Sequence, residues 1–363
     1  MCNIRCTYCF YRDLSDARAN RIMTRETADK LVERALGSGA DNITLAFQGG
    51  EPTLAGLDFF EHFIDSVNKR SRNRPNADRL NINYAIQTNG LNINQEFADF
   101  FKKNKFLVGL SLDGTKDVHD FFRTDAAGRE TFSRVLKSAE LLTKTGVDFN
   151  ILTVITAQVA KHIEKIYNFY KKRGFFYLQF INCLDPLGQL EPNFYSLTPE
   201  LYEKFLTKLF DLWYADLAAG TYVSVRFFDN WVRAAAGAPC ELCGLSADGS
   251  CPGQFVIEAD GSVYPCDFYC ISEWRMGDIA GMSFEELYNS ENMRRFIEAS
   301  KLDSKKCATC DIFKLCRGGC QRDREASIFN QAGDNRYCSA LYNFLSYAEP
   351  SFGKIVKMLR LNG

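Results

Sequence analysis

Residues 105–114 read KFLVGLSLDG, an apolar run that ends in a polar turn. Because Phe106 to Leu112 is apolar on both faces, it is typical of a parallel strand in a sheet that helices cover on both sides. The other predicted strands lie near 43–47, 82–88, 149–155 and 176–181, and the predicted helices near 24–37, 57–70, 94–104, 131–145, 158–173 and 199–219. This alternation predicts an α/β fold, either a barrel or part of one.

Polar residues follow several of the predicted strands. They form the sequences QGGEP (48–52), QTNG (87–90) and SLDG (111–114), and a further polar stretch spans 179–185. In βα barrels, the active site lies on the loops at the carboxyl ends of the strands. The sequence therefore predicts that the functional site lies along this rim.

Both ends of the chain differ from a complete barrel. The pattern begins with a loop and a helix, so the first strand is missing; either the chain starts downstream of that strand, which we favour, or the barrel is open at this edge. Beyond about residue 236 the alternation stops, and Gly, Pro and Cys become frequent. We predict a partial barrel over 1–235, a cysteine-rich domain over 236–348 and a C-terminal helix over 349–363.

The composition excludes several classes of partner. The 363 residues include 44 Lys and Arg against 45 Asp and Glu, so the net charge of −1 gives no reason to expect nucleic acid as a partner. No apolar run approaches the ~18 residues that a membrane-spanning helix requires, and the N-terminus lacks the pattern of a signal peptide. We predict a monomeric cytoplasmic protein with neither nucleic-acid nor membrane partners.

The 14 cysteines indicate metal rather than disulfides, because the cytosol keeps thiols reduced. Cys2, Cys6 and Cys9 place three thiolates within eight residues, close enough to hold three corners of an iron–sulfur cubane. The fourth corner has no local ligand, and none of the three histidines lies near either group of cysteines. A structural zinc site would need four ligands, so we favour a cluster with one iron open to a substrate over a three-thiol zinc site.

A second group of cysteines lies in the C-terminal third of the chain. A zinc ribbon would explain four of its cysteines, but this string contains seven. The basic residues between 314 and 324 are interpreted as compensation for negatively charged clusters rather than as a nucleic-acid patch. The seven cysteines of the string are Cys251, Cys266, Cys307, Cys310, Cys316, Cys320 and Cys338.

The spacing CxxxCxxC, with Tyr8 before the last cysteine, resembles the signature of the radical S-adenosylmethionine (SAM) enzymes. The resemblance implies a (β/α)6 partial barrel in which the open iron binds SAM, whose cleavage gives a 5′-deoxyadenosyl radical. It also implies that the GGEP motif, with Gly49, Gly50 and Glu51, receives the methionine amino group of SAM. Ser111 and Arg123 match positions that contact the ribose or the carboxylate of SAM.

The C-terminal string resembles the SPASM domain, which holds two auxiliary four-iron clusters and would bring the total to three [4Fe–4S] clusters. Cys240 competes with Cys243 for the first ligand position, and Cys243 is favoured because Gly244 matches the Cys-Gly pair of the family. The resemblance assigns Cys243, Cys251, Cys266 and Cys320 to the first auxiliary cluster, and Cys307, Cys310, Cys316 and Cys338 to the second.

The likeness narrows to the anaerobic sulfatase-maturating enzymes, on residues 6–11, 47–56, 105–111, 179–187 and 260–269. It implies oxidation of an active-site Cys or Ser of a sulfatase to Cα-formylglycine. Asp267 matches the proposed base, Tyr11 and Gln48 match positions of the substrate pocket, and the Leu184 segment is expected to shape the peptide groove. The implied partners are a sulfatase segment of the form Cys/Ser-x-Pro/Ala-x-Arg and an electron-donating flavodoxin or ferredoxin.

Two other functions stay open at this point. The first is another SPASM-type peptide maturase that forms a thioether or another crosslink with the same cofactors. The second is a non-enzymatic electron carrier or zinc scaffold, which would not cleave SAM.

Overall fold

The computed structural model describes residues 1–11, 22–72, 74, 78–246, 249–302 and 304–361, without the side chains of 359–361. The chain divides into two compact units. The first unit comprises Met1–Leu112, Asp120–Asn150 and Gly253–Phe296, and the second comprises Asp113–His119, Ile151–Pro252 and Ile297–Gly363. Both units contain residues from either side of position 236, and the predicted domain boundaries stay predictions.

Short strands and longer helices alternate through most of the described chain. The strands are β1 Ile4–Cys6, β2 Asn42–Phe47, β3 Asn81–Thr88, β4 Phe106–Ser111, β5 Arg123–Asp125, β6 Phe149–Ile155, β7 Tyr177–Asn182, β8 Ser224–Val225, β9 Val256–Ile257, β10 Ser262–Tyr264 and β11 Gly277–Asp278. The helices are α1 Arg25–Gly37, α2 Leu57–Ser71, α3 Gln95–Lys103, α4 Lys116–Phe122, α5 Phe132–Thr145, α6 Ala157–Lys161, α7 Ile163–Lys172, α8 Pro199–Ala218, α9 Arg226–Ala235, α10 Phe284–Tyr288, α11 Glu291–Ser300, α12 Lys305–Ala308, α13 Phe313–Cys316 and α14 Cys338–Leu361.

The first unit contains a parallel sheet and a separate antiparallel one. Strands β2, β3 and β4 pair in parallel, with Tyr84 opposite both Leu45 and Phe106. Strands β9, β10 and β11 form an antiparallel sheet, in which β10 is central. The helix that precedes β2 begins where the sequence places an N-cap, because the Thr24 hydroxyl accepts a hydrogen bond from the Thr27 amide at 3.1 Å.

The second unit contains a further set of parallel strands, β6, β7 and β8, with Ile151 opposite Leu178 and Tyr177 opposite Ser224. Helices α8 and α14 pack together through aromatic rings, among which Phe210 and Phe344 lie with their centroids 5.7 Å apart. The predicted α/β fold with parallel strands and a cysteine-rich C-terminal region is thus confirmed. None of the helices in the described ranges is long and apolar enough to cross a lipid bilayer.

Two local expectations were wrong. The helix predicted over 158–173 is broken at His162, whose backbone angles of φ −114° and ψ 17° depart from helical values, so that α6 and α7 are separate helices. Strand β1 lies in the cysteine segment, where only a loop was expected. It pairs antiparallel with β5 and lies outside the parallel set formed by β2, β3 and β4.

Phenylalanine rings fill the core between β2 to β4 and the helices α2 and α3. Phe47 at the end of β2 meets the rings of Phe60 and Phe63 at centroid distances of 5.1 and 5.0 Å. Phe101 of α3 is fully buried and lies 5.3 Å from Phe106 of β4. Aromatic packing of this kind contributes a large share of the stability of a core.

Truncation of Phe101 is expected to destabilise the protein severely. Phe101→Ala removes a fully buried ring and leaves a cavity, which costs about 3–5 kcal/mol. Phe121→Ala is the matched control, because this ring is 59% exposed. Thermal unfolding under anaerobic conditions should show a much lower Tm for Phe101→Ala than for the control, and equal shifts would contradict the assignment of the core.

Candidate active site

The three N-terminal cysteines lie on a segment that strand β1 fixes. Cys6 pairs with Arg123 in the β1–β5 ladder, and the Cys9 amide bonds to the Cys6 carbonyl at 3.2 Å. Burial raises the pKa of the Cys2 thiol, the Ile4 amide opposes this rise, and the Glu51 charge adds to it. A metal ion bound to the Cys2 sulfur would displace the thiol proton and hold the thiolate form.

The GGEP motif lies directly against the start of the chain. The Glu51 amide donates to the Met1 carbonyl at 2.8 Å, and a Cβ on Gly50 would lie 2.1 Å from that same carbonyl oxygen. Only glycine fits at position 50 without moving the backbone. The GGEP motif therefore contacts Met1, the residue directly before Cys2.

The Glu51 carboxylate is buried and accepts four hydrogen bonds from this unit. Oε1 accepts from the Thr53 amide at 3.0 Å, from the Thr53 hydroxyl at 2.6 Å and from the Thr88 hydroxyl at 2.8 Å. Oε2 accepts from the Asn89 amide at 2.7 Å. The side chain thus ties the loop after β2 to the loop after β3, and contact of the motif with the methionine amino group stays a prediction.

Arg123 and Ser111 are both buried in the first unit. The Arg123 guanidinium donates to the Tyr8 hydroxyl at 2.9 Å, and the Tyr8 ring packs on Phe122 at 5.6 Å. The aromatic residue before the last cysteine of the motif therefore helps to orient Arg123. Ser111 is the last residue of β4, on the rim where the sequence predicts the site.

Asp267 lies in a short 3-10 helix, Asp267–Tyr269, directly after the loop that follows β10. Its Oδ2 accepts a hydrogen bond from the Gln48 Nε2 at 3.2 Å, and its Oδ1 accepts from the Phe268 amide at 3.1 Å. The Cys266 Sγ lies 3.5 Å from Oδ1. Gln48, which is expected to line the substrate pocket, and Asp267, which is expected to be the base, are therefore in direct contact.

Tyr11 is held by a residue that the sequence analysis missed. Its hydroxyl donates to Glu258 Oε1 at 2.5 Å and lies 3.4 Å from where a Cβ on Gly49 would be. Glu258 follows β9, on the hairpin whose second strand leads to Asp267. No local motif marks Glu258, and only the long-range contact reveals it.

Leu184 belongs to the second unit, on the loop after β7. It is half-buried between the buried residues Cys183 and Asp185. The Asp185 carboxylate pairs with the Arg336 guanidinium at 3.0 Å, so this loop is held in place by a buried ion pair. A role for Leu184 in shaping a peptide groove stays a prediction.

The second cysteine group forms two electrostatically linked sets within the second unit. Burial raises the pKa of Cys316 to about 12, and the neighbouring charges of Cys338, Cys307 and Cys310 add to this rise. Burial also raises the pKa of Cys320 well above its usual value, with contributions from Asp323, Cys243 and Cys251. Seven of the eight predicted auxiliary ligands lie in this unit and Cys266 lies in the first, and their assignment to two clusters stays a prediction.

The geometry favours Cys243 over Cys240 as a ligand. A Cβ on Gly244 would lie 3.1 Å from the Cys320 amide nitrogen, so the Cys243-Gly244 pair approaches the Cys320 backbone closely. The Cys240 thiol lies instead within 3.5 Å of the Asn230 carbonyl and 3.7 Å from the Arg317 guanidinium.

The donor set fits iron–sulfur clusters better than single metal ions. Within the described ranges, no three His, Cys, Asp or Glu side chains form a site for one metal ion. A cubane binds each thiolate at a separate iron, so its ligands do not converge on one point. Three and four grouped cysteines without histidine are the sets that such clusters use.

Comparison with known proteins agrees with this geometry. Residues 1–170 match the radical SAM superfamily, and residues 251–311 match an iron–sulfur cluster-binding domain of the SPASM type. The chain is 44% identical to the cysteine-type anaerobic sulfatase-maturating enzyme of Clostridium novyi, over 98% of this chain and 93% of that protein. The chain belongs to the anaerobic sulfatase-maturating enzymes.

Other relatives of this radical SAM family extend the comparison. The serine-type anaerobic sulfatase-maturating enzyme of Klebsiella aerogenes is 30% identical, over 95% of this chain and 82% of its own length. The structure of anSMEcpe with bound AdoMet matches with a TM-score of 0.93 and 43% identity, over 99% of this chain and 97% of that one. The structure of anSMEcpe with AdoMet and a Kp18Cys peptide matches with a TM-score of 0.92 and 42% identity, over 98% and 96% of the two chains.

Iron content should distinguish the two competing cysteines of this sulfatase-maturating enzyme. The reconstituted chain should hold about twelve irons if eleven cysteines bind three cubanes. Cys243→Ala should lower this by about four irons, because a cubane with a missing thiolate is lost or labile. Cys240→Ala is the matched control and should leave the iron content unchanged, whereas the reverse pattern would assign Cys240 as the ligand.

Proposed function

We propose that this enzyme oxidises an active-site cysteine of a sulfatase to Cα-formylglycine. The contact between Gln48 and Asp267 supports the proposal, because the proposed base would then lie beside the motif proposed to bind SAM and next to a proposed cluster ligand. Identity to cysteine-type relatives is 44%, against 30% for a serine-type relative, which supports cysteine as the preferred target.

The cofactors of the proposed reaction are SAM and three [4Fe–4S] clusters. When bound, they supply a 5′-deoxyadenosyl radical that takes a hydrogen atom from the substrate Cβ, and an acceptor for the electron that the substrate then loses. Cys2, Cys6 and Cys9 would hold the cluster that binds SAM, and the two cysteine sets around Cys320 and Cys316 would hold the others. Arg123 and Ser111 would contact SAM from β5 and β4.

Asp267 would act as the base. The Gln48 side-chain amide and the Phe268 backbone amide both donate to its carboxylate and fix its orientation. Loss of the thiol proton to Asp267 together with one electron converts the substrate radical into a thioaldehyde. Water hydrolyses the thioaldehyde to the aldehyde of formylglycine.

The position of Cys266 would allow the proton and the electron to leave the substrate together. Its sulfur lies 3.5 Å from the Asp267 carboxylate, and Cys266 is a proposed ligand of an auxiliary cluster. A base that contacts a ligand of the electron acceptor couples the two transfers over a short distance. The thioether-forming alternative shares the cofactors but does not oxidise the thiol to a thioaldehyde, and the comparisons favour sulfatase maturation over it.

The partner of the reaction would be an extended sulfatase segment of the form Cys-x-Pro-x-Arg. Leu184 would line its groove, and Tyr11, held by Glu258, would line the pocket near the reacting cysteine. A flavodoxin or ferredoxin would supply the first electron. We further propose that the protein acts as a monomer in the cytoplasm.

A peptide assay tests the proposed function. Reduced enzyme with SAM should lower the mass of a Cys-x-Pro-x-Arg peptide by the difference between cysteine and formylglycine. The matched Ser-x-Pro-x-Arg peptide should react about tenfold more slowly, because a hydroxyl gives up its proton to a carboxylate less readily than a thiol does. A crosslinked product, or faster reaction of the serine peptide, would contradict the assignment.

Substitution of the base should separate SAM cleavage from peptide oxidation. Asp267→Asn removes the proton acceptor and should lower formylglycine formation by about 10²–10⁴-fold. It should leave 5′-deoxyadenosine formation within a few-fold of the original rate, since the radical forms before the proton leaves. Glu273→Gln, an exposed carboxylate of the same region, is the control and should change neither rate. Full product formation by Asp267→Asn would remove Asp267 from the reaction.

A further inference from the structure

The QTNG segment at 87–90 spans the end of β3 and the turn after it, and the reaction described above assigns it no role. We propose that Asn89 raises the reduction potential of the N-terminal cluster by donating an N–H to the Cys2 sulfur. This inference rests on the proposed function, because it requires a cluster at Cys2, Cys6 and Cys9. It adds to that function a residue that controls how readily the N-terminal cluster accepts the first electron.

Backbone groups fix the orientation of the Asn89 side chain. Its Oδ1 accepts a hydrogen bond from the Leu91 amide at 3.0 Å, and a backbone N–H can only be a donor. The oxygen of the carboxamide therefore faces Leu91, and its Nδ2 must face the opposite way. This removes the ambiguity that usually attends the two ends of an asparagine side chain.

The Nδ2 group of Asn89 points at the cysteine segment. It lies 3.9 Å from the Cys2 Sγ and donates to the Asn3 Oδ1 at 2.7 Å, so its two protons have two acceptors on neighbouring residues. The Asn3 carboxamide in turn donates to Asn92 at 3.2 Å, which holds this acceptor in place. Asn89 is 6% exposed, so water does not compete strongly for these bonds.

Asn89 also separates two negative groups. Its backbone amide donates to the Glu51 carboxylate at 2.7 Å while its side chain donates towards Cys2. A carboxylate near a cluster disfavours the added electron, and N–H groups directed at the ligand sulfur favour it. Asn89 therefore offsets the cost that the buried Glu51 imposes on reduction of the cluster.

The Asn89→Asp variant removes the donor with the least change of shape. Aspartate keeps an oxygen for the Leu91 amide but turns the N–H that faces Cys2 into a carboxylate oxygen. The holoenzyme is titrated with a reductant while the solution potential is measured. The N-terminal cluster is identified by its electron paramagnetic resonance signal, which changes when SAM is added. At the midpoint potential of the N-terminal cluster in the unsubstituted enzyme, the ratio of reduced to oxidised cluster should fall about tenfold in the variant. For a one-electron couple this corresponds to a midpoint potential lower by about 59 mV.

Two further variants control this experiment. Asn89→Ala removes the donor without adding charge and should lower the same ratio several-fold. Asn92→Ala removes only the partner of Asn3, leaves the Asn89 contacts to Leu91 and Glu51 intact, and should leave the midpoint unchanged. An unchanged midpoint in both Asn89 variants, or an equal shift in Asn92→Ala, would overturn the proposal.

A measurement on the unsubstituted enzyme covers the case in which the variants lose the cluster. Electron–nuclear double-resonance spectra of the reduced cluster are recorded in H2O and in D2O, on enzyme whose asparagines carry 15N. They should show one exchangeable proton and one asparagine nitrogen that are both coupled to the electron spin of the cluster. Absence of both couplings would overturn the proposal. The peptide assay is independent of this result: formylglycine without the couplings rejects the role of Asn89 alone, and the couplings without formylglycine reject the proposed reaction alone.

Discussion

The buried carboxylate of Glu51 is the constraint on which the rest of the site depends. Burying a charge is costly unless hydrogen-bond donors surround it, and here the donors come from two different loops. Thr53 belongs to the turn after β2, whereas Thr88 and Asn89 end β3, so the charge can be satisfied only when the carboxyl ends of both strands lie together. The Glu51 amide extends the same connection to the Met1 carbonyl, next to the first cysteine. One side chain and its own backbone thereby hold the cysteine segment, the GGEP motif and the QTNG turn in a fixed arrangement.

A second set of contacts connects the cysteine segment and the GGEP motif to the loop that holds Asp267. Gln48, three residues before Glu51, reaches Asp267 across 219 positions of sequence, and Tyr11, two residues after the last cysteine of the motif, reaches Glu258 across 247. Phe10 adds an edge contact with Phe268 at 5.1 Å. The hairpin of β9 and β10 is therefore held at both of its ends by residues next to the cofactor motifs. The proposed base and the proposed radical source would act on adjacent atoms of one substrate side chain, and this double attachment accounts for how a loop far along the chain keeps its orientation.

Sequence reasoning succeeds where the information is local. Strands β2 to β4, β6 and β7 were predicted to within one or two residues because each carries apolar side chains over a short stretch, nearly continuous in β4 and alternating with polar residues in β3. The cysteine motif was visible because its spacing lies within eight residues. The family resemblance then identified Asp267 and Gln48, whose contact the sequence alone does not show. Glu258 and Asn89 were missed because each is defined by a partner distant in sequence. The break at His162 was missed because the apolar period of the segment continues through it, while β8 has only two residues and carries no periodic signal.

Burial decides between the two interpretations of the basic stretch 314–324. On a surface it would attract phosphate, but Arg322 and Arg324 are buried and donate to the Asp185 and Ser300 carbonyls, each at 2.6 Å. With Arg336 they act on one buried carboxylate, Asp323, whose pKa burial raises to about 6 despite their opposing charges. Three guanidinium groups of this region thus have Asp323 and Asp185 as their buried carboxylates, which leaves positive charge in excess. Buried positive charge needs compensation, and the proposed thiolate-ligated cluster at Cys320 would supply it; the Cys320 sulfur also accepts from the Arg322 amide at 3.4 Å. Burial of Arg322 and Arg324 therefore fits a role in supporting the proposed cluster and not a nucleic-acid surface.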